Sequence, residues 1–264
     1  MSVEVKDMVL DHVSLGSVAV RVYEGASCDK GPPVLIYFQG GAFGNPASAL
    51  CPMAECLADT GAIVIVPDYN MQGSVFPKPL EVGFSVFSYM AKKRSGFGNR
   101  KSLLMVGGEE AGGNIAAAVA LKARDRFADE LDGQVLASPL LDPFMGSPSS
   151  RNAECIGMRE RWSEGWSHYL SGGMCHPYAA PSVCSRLAGL APALVLSSKD
   201  DPLLDETIAY ALRLSTAGVE VHQHVLPAGT GWPALYGGKT DEPSSWQDSA
   251  KSQFSDFVRE IGVN

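Results

Sequence analysis

Apolar runs of five or so residues recur along this chain, each bounded by glycine, proline or acidic residues. Val34–Phe38, Ile63–Pro67, Leu103–Gly107, Gln134–Ser138, Ala193–Ser197 and Val221–Leu226 read as strands, the central ones apolar enough to be buried on both faces. Val3–Leu10 and Val18–Val22 form an antiparallel pair joined through Gly16. Between the runs the period changes to helical. Cys51–Thr60, the amphipathic Leu80–Lys93, an alanine-rich stretch ending about Arg126, a segment through Ala217-Gly218-Val219, and Trp246–Ile261 are predicted helices. Strand–helix alternation predicts an α/β chain with a mostly parallel, doubly wound sheet and helices on both faces.

Residues 143–185 break this rhythm. They hold MGSPSS, a tryptophan-rich helical stretch, RERWSEGWSHYL, and then CHPYAAP. Trp162, Trp166 and Tyr169 share one helix face, either as a core stripe or as the apolar roof of a ligand pocket.

Composition narrows the function. A chain of 264 residues with 45% hydrophobic and 19% charged residues suits one domain with a sizeable core. A net charge of −8 disfavours a nucleic-acid partner. No apolar run reaches the length of a membrane span, and the N-terminal residues do not form a signal peptide. Cys28, Cys51, Cys56, Cys155, Cys175 and Cys184 show no metal-site spacing. The expectation is a cytoplasmic protein with free thiols, no metal and no cofactor.

The centre of the chain is LLMVGGEEAGGNIAAAVAL, from Leu103 to Leu121. It reads as a buried strand, a tight glycine turn and a close-packed helix. Here it runs Gly108-Glu109-Glu110-Ala111-Gly112-Gly113, and it resembles the GDSAGG nucleophile elbow of the hormone-sensitive-lipase-like carboxylesterases. Further segments carry the same resemblance. Gln39-Gly40-Gly41-Ala42-Phe43 stands where that family has its HGGG-F oxyanion loop, and Asp68-Tyr69-Asn70 where it has D-Y-R. Asp201-Pro202-Leu203-Leu204-Asp205-Glu206 is similar to its D-P-L-x-D-E, whose first Asp is the triad acid.

The resemblance implies an α/β-hydrolase fold over residues 1–264, with a cap insertion at about 143–185 reduced by the short N-terminal segment. It also implies an open pocket, or one closed by a second copy through the cap side or the last strand. The family's nucleophile position holds Glu110. Its catalytic His position falls on Gly231, or with a one-residue shift on Trp232. His12, His168, His176, His222 and His224 all lie elsewhere; His176 is the one able to swing toward the pocket. The expected site is Glu110 and Asp201, with Gly40, Gly41, Ala42 and Ala111 as an oxyanion-type loop. Gln39, Glu109, Trp162, Trp166, Tyr169, His176, Gly231 and Trp232 are expected to line the pocket.

An elbow residue sits at positive φ, so Glu110 is expected there at about 1–3 kcal/mol of strain. Burial beside Glu109 and Asp201 is expected to raise its pKa toward neutrality. One reading makes Glu110 a general acid or base acting on a small organic molecule by dehydration, isomerisation, cyclisation or C–C cleavage, with the amides stabilising an enolate. The alternative is a catalytically inactive relative that binds a small ligand or partner. A third is an unconventional hydrolase.

Overall fold

The computed structural model of the chain describes residues 3–25, 31–44, 50–69, 74–127, 130–171 and 176–263. Asn70, Cys28 and Cys175 lie outside the described residues, as does the side chain of His12. An eight-stranded sheet runs in the order β1-β2-β4-β3-β5-β6-β7-β8. Its strands are β1 (Glu4–Val13), β2 (Gly16–Glu24), β3 (Val34–Phe38), β4 (Ile63–Pro67), β5 (Leu104–Glu109), β6 (Gly133–Pro139), β7 (Ala193–Ser198) and β8 (Val221–Leu226). β1 and β2 are antiparallel to their neighbours, and the other strands run parallel. Every residue of β3, β5, β6 and β7 is buried, which is why these strands read as unbroken apolar runs.

The helices are α1 (Pro52–Ala58), α2 (Lys78–Lys93), α3 (Glu110–Arg126), α4 (Arg159–Tyr169), α5 (Leu204–Thr216) and α6 (Gln247–Ile261). α2 packs on α3 and α1 on α6, so helices clothe both faces of the sheet. α3 is buried from Glu110 through Ala123. Its close approach to β3 depends on Gly112: a Cβ there would lie 1.9 Å from the Phe38 carbonyl oxygen. Among the described residues no helix is long and apolar enough to cross a membrane. The described cysteines, Cys51, Cys56, Cys155 and Cys184, are free.

The segment between β6 and β7 carries α4 and is tied down at α5. Asp205 accepts the Ser149 amide (2.8 Å), and Glu206 accepts the amides of Leu141 and Asp142 (3.3 and 3.1 Å). These two acids, in the first turn of α5, therefore clamp the chain that leads into the cap.

Candidate functional site

Glu110 stands at the β5–α3 corner with φ +52°, and its carbonyl oxygen accepts the Leu140 amide at 2.9 Å. Strain at such a corner is stored where the surroundings over-determine it. The loop after β3 is strained as well, since Ala42 and Phe43 have φ +53° and +57°. The amides of this loop and of Ala111 converge on one point, which the Glu110 carboxylate itself fills. Gly41 N and Ala111 N each donate to Oε2 at 2.7 Å. Ala42 N lies 2.9 Å from both oxygens. The Trp162 indole Nε1 donates to Oε1 at 2.6 Å. Glu110 is fully buried. Burial pushes its pKa up, while these donors hold the ionised form and work against the rise.

Glu109 points the other way from the same corner. Its Oε1 accepts Gly40 N at 2.7 Å, and burial, with Glu110 adding to it, pushes this carboxyl up to about 7. The expected rise at Glu110 is thus present in direction, and its neighbour Glu109 is raised as well, to about 7.

Asp201 lies in a second buried nest. Its carboxylate accepts Leu203 N (2.7 Å), the Tyr236 hydroxyl (3.0 Å) and the Ser138 hydroxyl. Burial raises its pKa to about 6 against the pull of these donors. Ser138, at φ +42°, also takes the Trp232 indole N–H at 2.8 Å and lies 3.0 Å from the Ser197 hydroxyl. Trp232 is fully buried, and its ring crosses that of Trp246 edge to face. Gly231 faces elsewhere. It has φ +67°, and a Cβ there would meet the backbone oxygens of Glu242 and Pro243 at 3.0 Å. The residue that turns toward the acid after β8 is therefore Trp232, not Gly231.

Between the two acids stand aromatic rings. Trp162, bonded to Glu110, lies 5.9 Å from Tyr236, which is bonded to Asp201. Trp166 and Tyr169 pack on Phe43 of the loop, Tyr169 stacked at 4.2 Å. The face shared by Trp162, Trp166 and Tyr169 is thus both core stripe and roof, lowered onto the elbow. The expectation of an open pocket is overturned by this one chain: no surface of Glu110, Trp162 or Trp232 reaches solvent. Gly165 makes the descent of α4 feasible, since a Cβ there would sit 2.1 Å from the Ala42 carbonyl oxygen. Gly165→Ala is expected to lower stability by about 1–3 kcal/mol, although Ala normally favours a helix interior by up to about 1 kcal/mol. A rise in thermal midpoint would show that α4 does not rest on the loop.

The remaining candidates are engaged elsewhere. Gln39 reaches Leu50 O with its side chain (3.0 Å), and its own carbonyl accepts the Tyr69 hydroxyl (2.7 Å). His176 stays in the cap, its Nδ1 accepting Tyr178 N at 3.1 Å and its ring against Phe76. His222 pairs with Glu220 and Glu260, and His224 with Ser249. Sequence reasoning passed over Ser138, Tyr236 and the support that Tyr69 gives the loop. The Ser-Pro pair ending β6 was the one local signal. Tyr236 had none, because its partner is 35 positions away.

A family model for the alpha/beta hydrolase fold matches residues 35–230. The chain belongs to this family. Esterase LipI of Mycobacterium tuberculosis is 29% identical over 232 residues, covering 83% of this chain and 72% of that protein. Carboxylesterase NlhH of the same species is 28% identical over 228 residues, covering 82% and 71%. Among solved structures, esterase LipW from Mycobacterium marinum superposes with a TM-score of 0.81 at 27% identity, covering 98% of this chain and 82% of that one. A bacterial heroin esterase gives 0.79 at 27%, covering 98% and 85%. Brefeldin A esterase, described as a bacterial homologue of human hormone-sensitive lipase, shares the fold at 24% identity and a TM-score of 0.78.

Proposed function

We propose that this family member is not an esterase: its hydrolytic triad is dismantled, its elbow is closed, and it acts by binding a partner or small ligand rather than by turnover. The observation that supports this is the Glu110 carboxylate seated in its own oxyanion-type cradle. An acyl-transfer site needs a nucleophile, a base to activate it, and empty donors awaiting the developing charge. Here position 110 offers a carboxylate, position 232 an indole that donates and cannot accept a proton, and the donors are already engaged.

The same geometry weighs against Glu110 as an acid or base for elimination, isomerisation or lyase chemistry. Its oxygens face four protein donors and no open space, and the amides that would hold an enolate are occupied. The relatives are named as esterases, which favours ester hydrolysis over lyase chemistry as the activity from which such a site diverged.

The test is turnover of short p-nitrophenyl esters together with labelling by a serine-directed fluorophosphonate. Neither is expected. Hydrolysis within about a hundredfold of the esterase relatives, less than the usual contribution of a working general base plus nucleophile, would sink the reading.

A further inference from the structure

Glu109 and Glu110 are successive acids, 1% and 0% exposed, in unequal surroundings. Glu110 has four donors on its two oxygens. Glu109 has one, the Gly40 amide on Oε1. Among the described residues its Oε2 meets no donor at full hydrogen-bond geometry, and the buried hydroxyl of the neighbouring Tyr37, itself without a fully formed bond, is the side chain beside this carboxylate that favours its ionised form. Among the described residues, the titratable groups that face Glu109 are Tyr37 from β3, the Cys51 thiol from the start of α1, Tyr69 from beyond β4, and Glu110 from α3. None of them is a cation. Two adjacent carboxylates in a dry setting without a counter-charge repel each other and lose hydration, so one of them takes a proton. The carboxylate with four donors keeps the charge.

Building on the closed-site reading, we propose that the Glu109–Glu110 pair holds a single proton, seated on Glu109, and that this proton is a condition for the closed arrangement of the loop after β3 and of α4. Its loss leaves two like charges at one strand–helix corner. One of them holds the loop at Gly40, and the other holds Gly41, Ala42 and the Trp162 latch. Each contact by itself favours an ionised acceptor, so it is the repulsion and lost hydration of two charges at one dry corner that work against the arrangement and loosen the cap.

Burial pushes the Glu109 carboxyl up to about 7, which puts the release within the neutral range. The sign follows from linkage. An acid whose folded pKa is raised contributes stability that is fully present below its ordinary value and is lost as pH rises through the folded value. Asp201, at about 6, together with Glu110 and Glu206, is raised by burial and acts in the same direction. The Glu109 share is therefore read as a difference between wild type and Glu109→Gln.

The experiment is infrared titration of the full chain, following the C=O band of a protonated carboxyl, alongside hydrogen exchange of the peptide covering 159–169. In wild type the Glu109 band is expected to disappear with a midpoint near about 7, while α4 exchange quickens beyond the intrinsic base dependence. Glu109→Gln is expected to lack that band and to hold α4 exchange steady. Tyr37→Phe, which leaves the carboxyl in place, is expected to move the midpoint up. Glu110→Gln is expected to move it down by about one unit or more, because the neighbouring charge is gone. A wild type whose carboxyl bands are all unchanged in Glu109→Gln would overturn the proposal, as would a midpoint indifferent to both Tyr37→Phe and Glu110→Gln. Either result, with ester turnover absent, leaves the closed-site reading standing. Ester turnover with the titration intact would overturn that reading and leave the proton on Glu109.

Discussion

Glu110→Gln is expected to lower unfolding stability by about 3 kcal/mol, the order of cost for leaving buried, charge-assisted donors unmatched. The substitution keeps size and shape and replaces one acceptor oxygen with an NH2 group. If the NH2 takes the Oε1 position, it meets the Trp162 indole N–H and the Ala42 amide. If it takes the Oε2 position, it meets the amides of Gly41 and Ala111. Either way, donors face donors in a fully buried site. From the sequence, relief of carboxylate crowding is a reason to expect the opposite sign. The donor census reverses that expectation, because Glu110 is the better-satisfied member of the pair. Urea unfolding followed by circular dichroism reads the difference. Equal or greater stability in the variant would mean that the carboxylate does not occupy the cradle in solution.

Glu110→Ser combined with Trp232→His is expected to raise ester hydrolysis over Glu110→Ser alone by about 10²–10⁴-fold, the usual worth of a positioned general base. The serine hydroxyl is short, so it vacates the amides of Gly41, Ala42 and Ala111, and the elbow places it at the same corner at φ +52°. Histidine belongs at 232 rather than 231, because only the side chain of 232 turns toward Ser138 and Asp201. Asp201 and its donors are already in place to orient an imidazole. Kinetics on p-nitrophenyl butyrate, with folding confirmed by circular dichroism, decide it. A folded double variant no faster than Glu110→Ser would show that Trp162 and Tyr236 keep the new pair apart.

Much of this molecule is legible residue by residue. Buried strands announce themselves as apolar runs because both faces of a parallel sheet meet helices. The elbow is legible because only glycine tolerates the 1.9 Å approach at position 112, and because a strand, a glycine turn and an alanine-rich helix leave few other ways to fold. The presence of Glu at 110, and the lack of a histidine in the loop after β8, are likewise properties of the letters.

What those letters do to each other is a different matter. That the Glu110 carboxylate turns back into the cradle depends on amides 68 and 69 positions earlier and an indole 52 positions later. Local pattern carries no record of such distances. The face of α4 is apolar whether it roofs an open cleft or fills a closed one. Its descent onto the loop was decided by Gly165, a residue that looks like a weak point in a helix until its neighbour across the gap is known. The choice between Gly231 and Trp232 is one residue in sequence. In space it is the difference between facing a backbone and facing Asp201, and φ at Gly231 settles it. The titration of the acids was open for the same reason. Composition shows two adjacent glutamates, but which of them keeps its charge depends on how many N–H groups the folded chain brings to each.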